Sequence, residues 1–181
     1  MTVASANADF SILVAAVQKA GLVSALQATT PRKTVFAPNN AAFTRLFTTL
    51  GVTGVNDLSA EQLAAVLKYH VLPTEVGSAA AVTAATANAK VDALGGKIQL
   101  SLVAGKIKLD GISEVTTPDI AASNGVIHAI SEVILPSLLD VASTDARFSS
   151  LTAAIVALND QAIVTQLDDN AATTKWTVFA P

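Results

Sequence analysis

The chain has 181 residues, of which 51% are apolar and 14% charged, and its net charge is −3 at pH 7; this composition predicts a folded globular protein and excludes a disordered one. The absence of cysteine excludes disulfides and thiolate chemistry. Residues 1–137 contain nine Lys/Arg and nine Asp/Glu, which excludes the basic surface of a nucleic-acid-binding protein.

Membrane and export signals are also missing from the sequence. No apolar run approaches the roughly 20 residues that a membrane span needs. No basic segment followed by an apolar one opens the chain, because Asn7 and Asp9 interrupt it. We therefore expect no membrane span in this segment and an export signal, if any, outside it.

The first seventy residues predict helices around one buried strand. Apolar residues at helical spacing predict a helix over 9–20 that ends at Gly21, followed by a short second helix. The letters TVFAP at 34–38 predict a buried strand closed by a proline. Asn39 and Asn40 are suited to cap the next helix, and Ser59 with Gln62 has the spacing of a capping box. Two further helices are therefore expected, over about 40–50 and 60–68.

The pattern changes after Lys68 to that of strands. YHVLP (69–73) predicts a short strand, and the alanine-rich stretch 78–89 is interpreted as an irregular connection with at most a helical turn. In KIQLSLVAGKIKL (97–109), apolar and polar residues alternate on both sides of Ala104-Gly105. This pattern predicts a β-hairpin with one face exposed to solvent. NGVIHAISEVILP (124–136) predicts a last strand. Helices and strands segregated in this way indicate an α+β domain.

Part of the sequence is repeated. VASANADFSILVAA (3–16) returns as VASTDARFSSLTAA (141–154), and TVFAP (34–38) returns at 177–181. Such self-similarity is the signature of a repeat protein. We expect residues 1–137 to form one complete domain and residues 138–181 to be the N-terminal part of a second copy.

Four phrases in order resemble the fasciclin domain family: TVFAPNNAAF, YHVLP, PDIAASNGVIH and VILP. The resemblance implies a wedge made of a twisted, largely antiparallel β-sheet with helices packed at one side. It also implies a secreted or cell-surface protein, commonly with tandem domains, that acts in adhesion or matrix binding. Two positions depart from the family pattern: Ser131 stands where Asp is usual, and Asn39 where Thr is usual.

Candidate catalytic residues are few. His70 and His128 could form a general base or a metal pair, but neither has a carboxylate or second histidine at ligand spacing, so we expect both to be buried core residues without metal. No nucleophile elbow, phosphate-binding loop or zinc helix is present. Asp168-Asp169-Asn170 lacks the alternation of a calcium loop and is interpreted as a solvated turn. We therefore expect no enzyme activity and no cofactor.

The resemblance also indicates candidate partner-binding residues. In animal members, adhesion to integrins has been associated with the Tyr-His motif and with a Pro-Asp-Ile stretch, which correspond here to Tyr69 and His70 and to Asp119 and Ile120 after Pro118. The alternative for Tyr69 and His70 is a buried helix–strand junction. Asp119 is expected in a surface turn, so that its replacement by alanine would leave stability almost unchanged.

The leading hypothesis is a non-catalytic, extracellular or cell-surface module that binds a protein or a glycan, with no nucleic acid as partner. The alternative is a structural spacer in a tandem-repeat surface protein, with no binding site of its own. The alanine-rich, cysteine-free composition favours a bacterial source. Residues 138–181 begin a domain without the sheet that completes it. We expect them to dock on the first domain or on a neighbouring chain, and in the second case the chain would self-associate through them.

Overall fold

A computed structural model describes residues 7–137. Its helices are α1 (Ser11–Lys19), α2 (Val23–Gln27), α3 (Asn40–Leu50), α4 (Ala60–Tyr69) and α5 (Ser78–Thr86). Its strands are β1 (Lys33–Pro38), β2 (Val71–Leu72), β3 (Lys90–Ala93), β4 (Gly96–Val103), β5 (Lys106–Leu109), β6 (Ser113–Ala122) and β7 (Gly125–Ile130). Short 3-10 turns precede α1 and α4. The repeat over 138–181, including Asp168-Asp169-Asn170, lies outside the described residues.

The seven strands form one mixed sheet in the order β2-β1-β7-β6-β5-β4-β3. β1 and β7 are parallel and the other pairs are antiparallel. The sheet is curved so strongly that its two end strands approach each other. The backbone N–H of Leu94, just after β3, donates to the carbonyl of Val71 in β2 at 2.8 Å. Both end strands are short, and this contact shields them from pairing with another chain.

Two hydrophobic cores lie on opposite faces of the sheet. Adjacent residues of a strand point to opposite faces, and in β1 Phe36 belongs to one core while Ala37 belongs to the other. Helices α1, α3 and α4 cover the face of Ala37, and α5 contributes Ala81 and Ala85 to the core of Phe36. The α+β class with a largely antiparallel sheet is confirmed. Helix α2 packs on the same side as these three through Val23 and Leu26, so four helices share one side and α5 closes the other.

Several local predictions are confirmed. The side chain of Asn39 accepts a hydrogen bond from Ala42 N at the start of α3. Ser59 and Gln62 form a capping box at the start of α4. Ala104 and Gly105 have φ of 51° and 78°, as a two-residue hairpin turn between β4 and β5 requires.

Three element predictions were wrong or too long. The stretch 78–89, expected to be irregular, contains α5; alanine has the highest helix propensity, and the helix is capped from a distant strand. YHVLP is a strand only at Val71–Leu72, because Tyr69 still belongs to α4. The last strand ends at Ile130 rather than near Pro136.

Candidate functional site

The predicted binding segment around Asp119 lies in strand β6 rather than in a turn. Pairing with β7 passes from Thr117↔Ala129 to Ile120↔Ile127, so that Pro118 and Asp119 together face the single residue between those two in β7. This is a β-bulge, and Asp119 takes the left-handed conformation, with φ +56°. The prediction that Asp119 lies in a turn was wrong. The prediction that it lies at the surface is confirmed, because residues 116–119 are all exposed.

The bulge turns the Asp119 carboxylate toward the first residue of α5. Its Oδ1 accepts a hydrogen bond from Ser78 N at 2.9 Å, and Oδ2 accepts from the Ser78 hydroxyl. These hydrogen bonds hold the pKa of Asp119 below its usual range. Gly77, the residue before the helix, has no side chain to cap it. Asp119 therefore caps α5 across the fold.

His128 lies directly behind the bulge and is 1% exposed. The backbone N–H of Asp119 donates to its Nδ1 at 3.1 Å, and its Nε2 lies 2.8 Å from the carbonyl of Val76. A backbone N–H only donates, so Nδ1 is the acceptor and Nε2 carries the proton. His128 is thus a neutral link between β6 and the segment before α5, and its predicted burial is confirmed.

The segment 73–77 is also bonded to β1. The hydroxyl of Thr34 donates to the carbonyl of Thr74 at 2.8 Å and accepts from Val76 N at 2.7 Å. At the surface, the guanidinium of Arg32 pairs with Glu75. The bulge, the segment 73–77 and the start of α5 therefore form one hydrogen-bonded unit with an exposed carboxylate on its rim.

Replacing Asp119 by alanine is expected to lower the free energy of unfolding measurably, because α5 loses its N-cap. This corrects the expectation of unchanged stability, because the side chain caps α5. Asp119→Asn retains an oxygen to accept from Ser78 N and is expected to lose less. Urea unfolding of both variants measures the difference; equal stability of wild type and Asp119→Ala would contradict the cap.

His70 lies at the end of α4 and is also 1% exposed, as predicted. Its Nε2 accepts from Ile134 N at 3.1 Å, so Nδ1 carries the proton that bonds the carbonyl of Val66 at 2.8 Å. Burial lowers the pKa of His70 to about 4, and the bond to Val66 opposes this only in part. His70 is therefore neutral at pH 7 and joins the last described segment to α4.

Tyr69 is fully buried in the core of Phe36, the core to which α5 also contributes. The hydroxyl lies 2.8 Å from the carbonyl of Lys97 and 3.1 Å from Oδ2 of Asp110, whose Oδ1 accepts from Gln99 N at 2.9 Å. Gly95 packs so closely on the Tyr69 backbone that an added Cβ would lie 2.7 Å from Tyr69 N. Tyr69 thereby fixes the β3–β4 turn and the β4–β5 hairpin to the end of α4.

Replacing Tyr69 by phenylalanine is expected to cost about 1–3 kcal/mol of stability, because the buried Asp110 carboxylate and Lys97 carbonyl lose a donor while the ring stays. Chemical denaturation measures this loss. Unchanged stability of Tyr69→Phe would show that the hydroxyl bonds contribute nothing.

The unit around Asp119 does not have the geometry of a hydrolase. Ser78, Asp119 and His128 are neighbours, but both ring nitrogens of His128 are occupied by backbone groups, so the ring has no nitrogen left to take a proton from Ser78. Within residues 7–137, no three His, Asp or Glu side chains gather to hold a metal ion. In the same range, no helix is long and apolar enough to cross a membrane.

Comparison with known proteins defines the class. The Fasciclin domain family matches residues 8–136. The chain is 40% identical over 136 residues to protein sll1483 of Synechocystis sp., covering 75% of this chain and 72% of that one. It is 35% identical over 136 residues to transforming growth factor-beta-induced protein ig-h3 of Sus scrofa, of which it covers 19%. The chain belongs to the fasciclin domain family.

A solved structure supports the same fold. A FAS1 domain pair from the insect cell adhesion molecule fasciclin I matches with a TM-score of 0.53 and 17% identity. The match covers 86% of this chain and 54% of that one. It shows the fold alone.

The structure separates the four predicted site residues. Asp119 is exposed and Ile120 half-buried, both on β6, whereas Tyr69 and His70 are buried. Tyr69 and His70 could meet a partner only if the domain opened, and their direct contact stays a prediction. Ser78 and Val76 were not predicted as partners of Asp119 and His128, since no local pattern links residues that lie 41 and 52 positions apart.

Proposed function

We propose that this chain is a non-catalytic cell-adhesion or matrix-binding module that acts outside the cytoplasm, at a cell surface or in a matrix, through protein or glycan contacts. The observation that carries the proposal is its membership of the fasciclin domain family over residues 8–136. The structural relative, fasciclin I, is described as a cell adhesion molecule. The bacterial relatives from Synechocystis support a bacterial source.

The surface proposed for the contact is the bulged part of β6, residues 116–120. Two threonines, a proline and an aspartate there are exposed, and Ile120 is half-buried beside them. The bonds to Ser78 and His128 hold the segment in one conformation, so little entropy is lost when a partner binds. A rigid, exposed ridge with one carboxylate suits a partner that offers a cation or hydroxyl groups.

The proposal is tested with beads coated with the full chain, scored for attachment to surfaces that carry extracellular matrix. Asp119→Asn removes the charge but keeps an acceptor for Ser78, and it is expected to lower attachment several-fold. The matched control is Asp92→Asn, which removes an exposed carboxylate on β3. No attachment by the wild-type chain would contradict the module, and equal attachment by all three would remove Asp119 from it.

The alternative, a structural spacer without a binding site, is favoured by one observation, the internal repeat of 3–38 in 138–181. A spacer needs only to fold and to project a neighbouring domain. It predicts that coated beads attach no better than uncoated ones while the chain stays fully folded. The attachment assay therefore distinguishes the two proposals.

We also propose that residues 138–181 are the start of a second fasciclin repeat and take part in self-association. The family match ends at 136, next to the proposed boundary, and the repeated phrases return after it, at 141–154 and 177–181. Deleting 138–181 is expected to leave the melting temperature of the first domain nearly unchanged and to reduce any dimer. Calorimetry and analytical ultracentrifugation measure both; collapse of the shortened chain would contradict the boundary.

A further inference from the structure

A small apolar cavity lies between α1, α2 and the parallel strands β1 and β7. Its volume is about 60 Å³, and its wall includes Leu13, Val17, Leu26, Val35 and Ile127. A cavity needs roughly 10–15 Å³ to hold a water molecule, so this space exceeds a single water. Apolar cavities of this kind stay dry and accept apolar guests. The space therefore suits a hydrocarbon group.

The outer wall of the cavity is weakly attached. Helix α2 is five residues long and has no buried side chain, although Leu26 lines the cavity. Asn124, the residue before β7, holds the end of α2: its Nδ2 donates to the carbonyl of Leu26 at 2.6 Å and to that of Ala28 at 3.3 Å. A segment with few buried apolar contacts opens at low cost in free energy. Helix α2 is therefore the part of the wall that can move aside for a guest.

Lys33 also lines this cavity, and its ammonium lies at the surface beside it without a carboxylate partner. The ammonium of Lys33 bonds the carbonyls of Pro31 at 3.0 Å and Ala28 at 3.5 Å. Among residues 7–137, Arg32 and Arg45 form ion pairs, whereas Lys33 forms none within 4.0 Å. An ammonium has three donors, so one is left after the two carbonyls. An apolar space with a cation on its wall complements an anionic amphiphile.

We propose that this cavity is a binding site for an aliphatic carboxylate, with the alkyl group between α1 and β1 and the carboxylate on the ammonium of Lys33. The cavity has about two fifths of the ~150 Å³ that accommodates benzene, so as it stands it holds only a group the size of a methyl or an ethyl. Branched and longer chains, including that of isovalerate, enter when α2 shifts. The site is independent of the proposed adhesion surface, which lies on the bulge of β6.

The test uses the isotope-labelled full chain, titrated with isovalerate and with its neutral counterpart 3-methylbutan-1-ol while backbone amide NMR signals are followed. Both are expected to shift the signals of Val35 and Ile127 at millimolar concentration. The carboxylate is expected to bind about tenfold more tightly, since a charge-assisted hydrogen bond is added. Lys33→Gln should remove that tenfold advantage and leave the binding of the alcohol unchanged.

Two control variants make the outcome specific. Lys68→Gln removes an exposed lysine of α4 and should leave both titrations unchanged. Val35→Ile adds a methylene to the cavity wall and should weaken both ligands several-fold, with circular dichroism showing that the fold is intact. The proposal is overturned if isovalerate shifts no cavity signals, if acid and alcohol bind equally, or if Lys33→Gln behaves like Lys68→Gln.

Discussion

A Gly125→Val variant is expected not to fold, or to lose more than about 4 kcal/mol of stability, a large part of what a domain of this size has. A Cβ at Gly125 would lie 1.9 Å from the carbonyl oxygen of Lys33 and 2.9 Å from its carbonyl carbon and its nitrogen. These are backbone atoms of the parallel strand paired with Gly125, so they cannot turn away. The backbone at Gly125 also has φ +157°, which side chains resist.

The clash at Gly125 would disturb the pairing on which the whole sheet depends. Lys33↔Gly125 is the first pair of the β1–β7 ladder, which joins the helical side of the molecule to the strands β3–β6. Asn124, one residue earlier, donates to the carbonyl of Leu26 and accepts from Lys33 N at 3.2 Å. Separating β1 from β7 at this point would open both cores along their shared sheet.

Three other glycine substitutions serve as comparisons for the loss of stability expected of Gly125→Val. Gly125→Ala should be nearly as damaging, because the clash begins at Cβ. At Gly51, φ is +69° and nothing lies within 4 Å, so alanine there should cost only about 1 kcal/mol. Gly54→Ala, with open space and an extended backbone, should be close to neutral. Urea unfolding ranks the four variants; a Gly125→Val chain as stable as wild type would contradict the close approach.

The features that were predicted correctly have local causes. The Asn39 cap, the Ser59–Gln62 capping box and the Ala104-Gly105 turn each depend on residues at most three positions apart. In such patterns the residues themselves determine the local backbone geometry, and contacts with distant parts of the chain are not needed.

The features that were missed depend on distant partners. Helix α5 is rich in alanine on all sides and shows no apolar stripe, so its position follows from the cap that Asp119 supplies from 41 residues away. In the bulge that brings Asp119 there, the ring of His128 accepts a hydrogen bond from the backbone N–H of Asp119. The sequence Pro118-Asp119 is typical of a turn. Asp119 lies in a strand instead because the neighbouring strand β7 pairs with β6 on both sides of it.

Lowering the pH from 7 to 5 is expected to reduce the free energy of unfolding by about 2 kcal/mol through His70. Burial holds the pKa of this ring at about 4 in the folded chain, against about 6.5 when unfolded. Between these values the unfolded chain binds the additional proton, so stability falls as the pH falls and levels off below about 4. The charged ring would lose its hydrogen bond from Ile134 N, since both ring nitrogens would then carry protons.

Urea unfolding at pH 7 and pH 5 measures this change, and a pH titration of the His70 ring signals by NMR locates its pKa directly. His70→Gln removes the titrating group, so its stability should differ less between the two pH values even if it is lower at both. The window above pH 5 lies above the range in which carboxylates such as Asp119 and Glu75, whose pKa values are lowered in the fold, take up protons. If the His70 ring titrates near 6.5 instead, protonation is tolerated in the core, and the neutral link that it forms between α4 and Ile134 is not what stabilises that end of the domain.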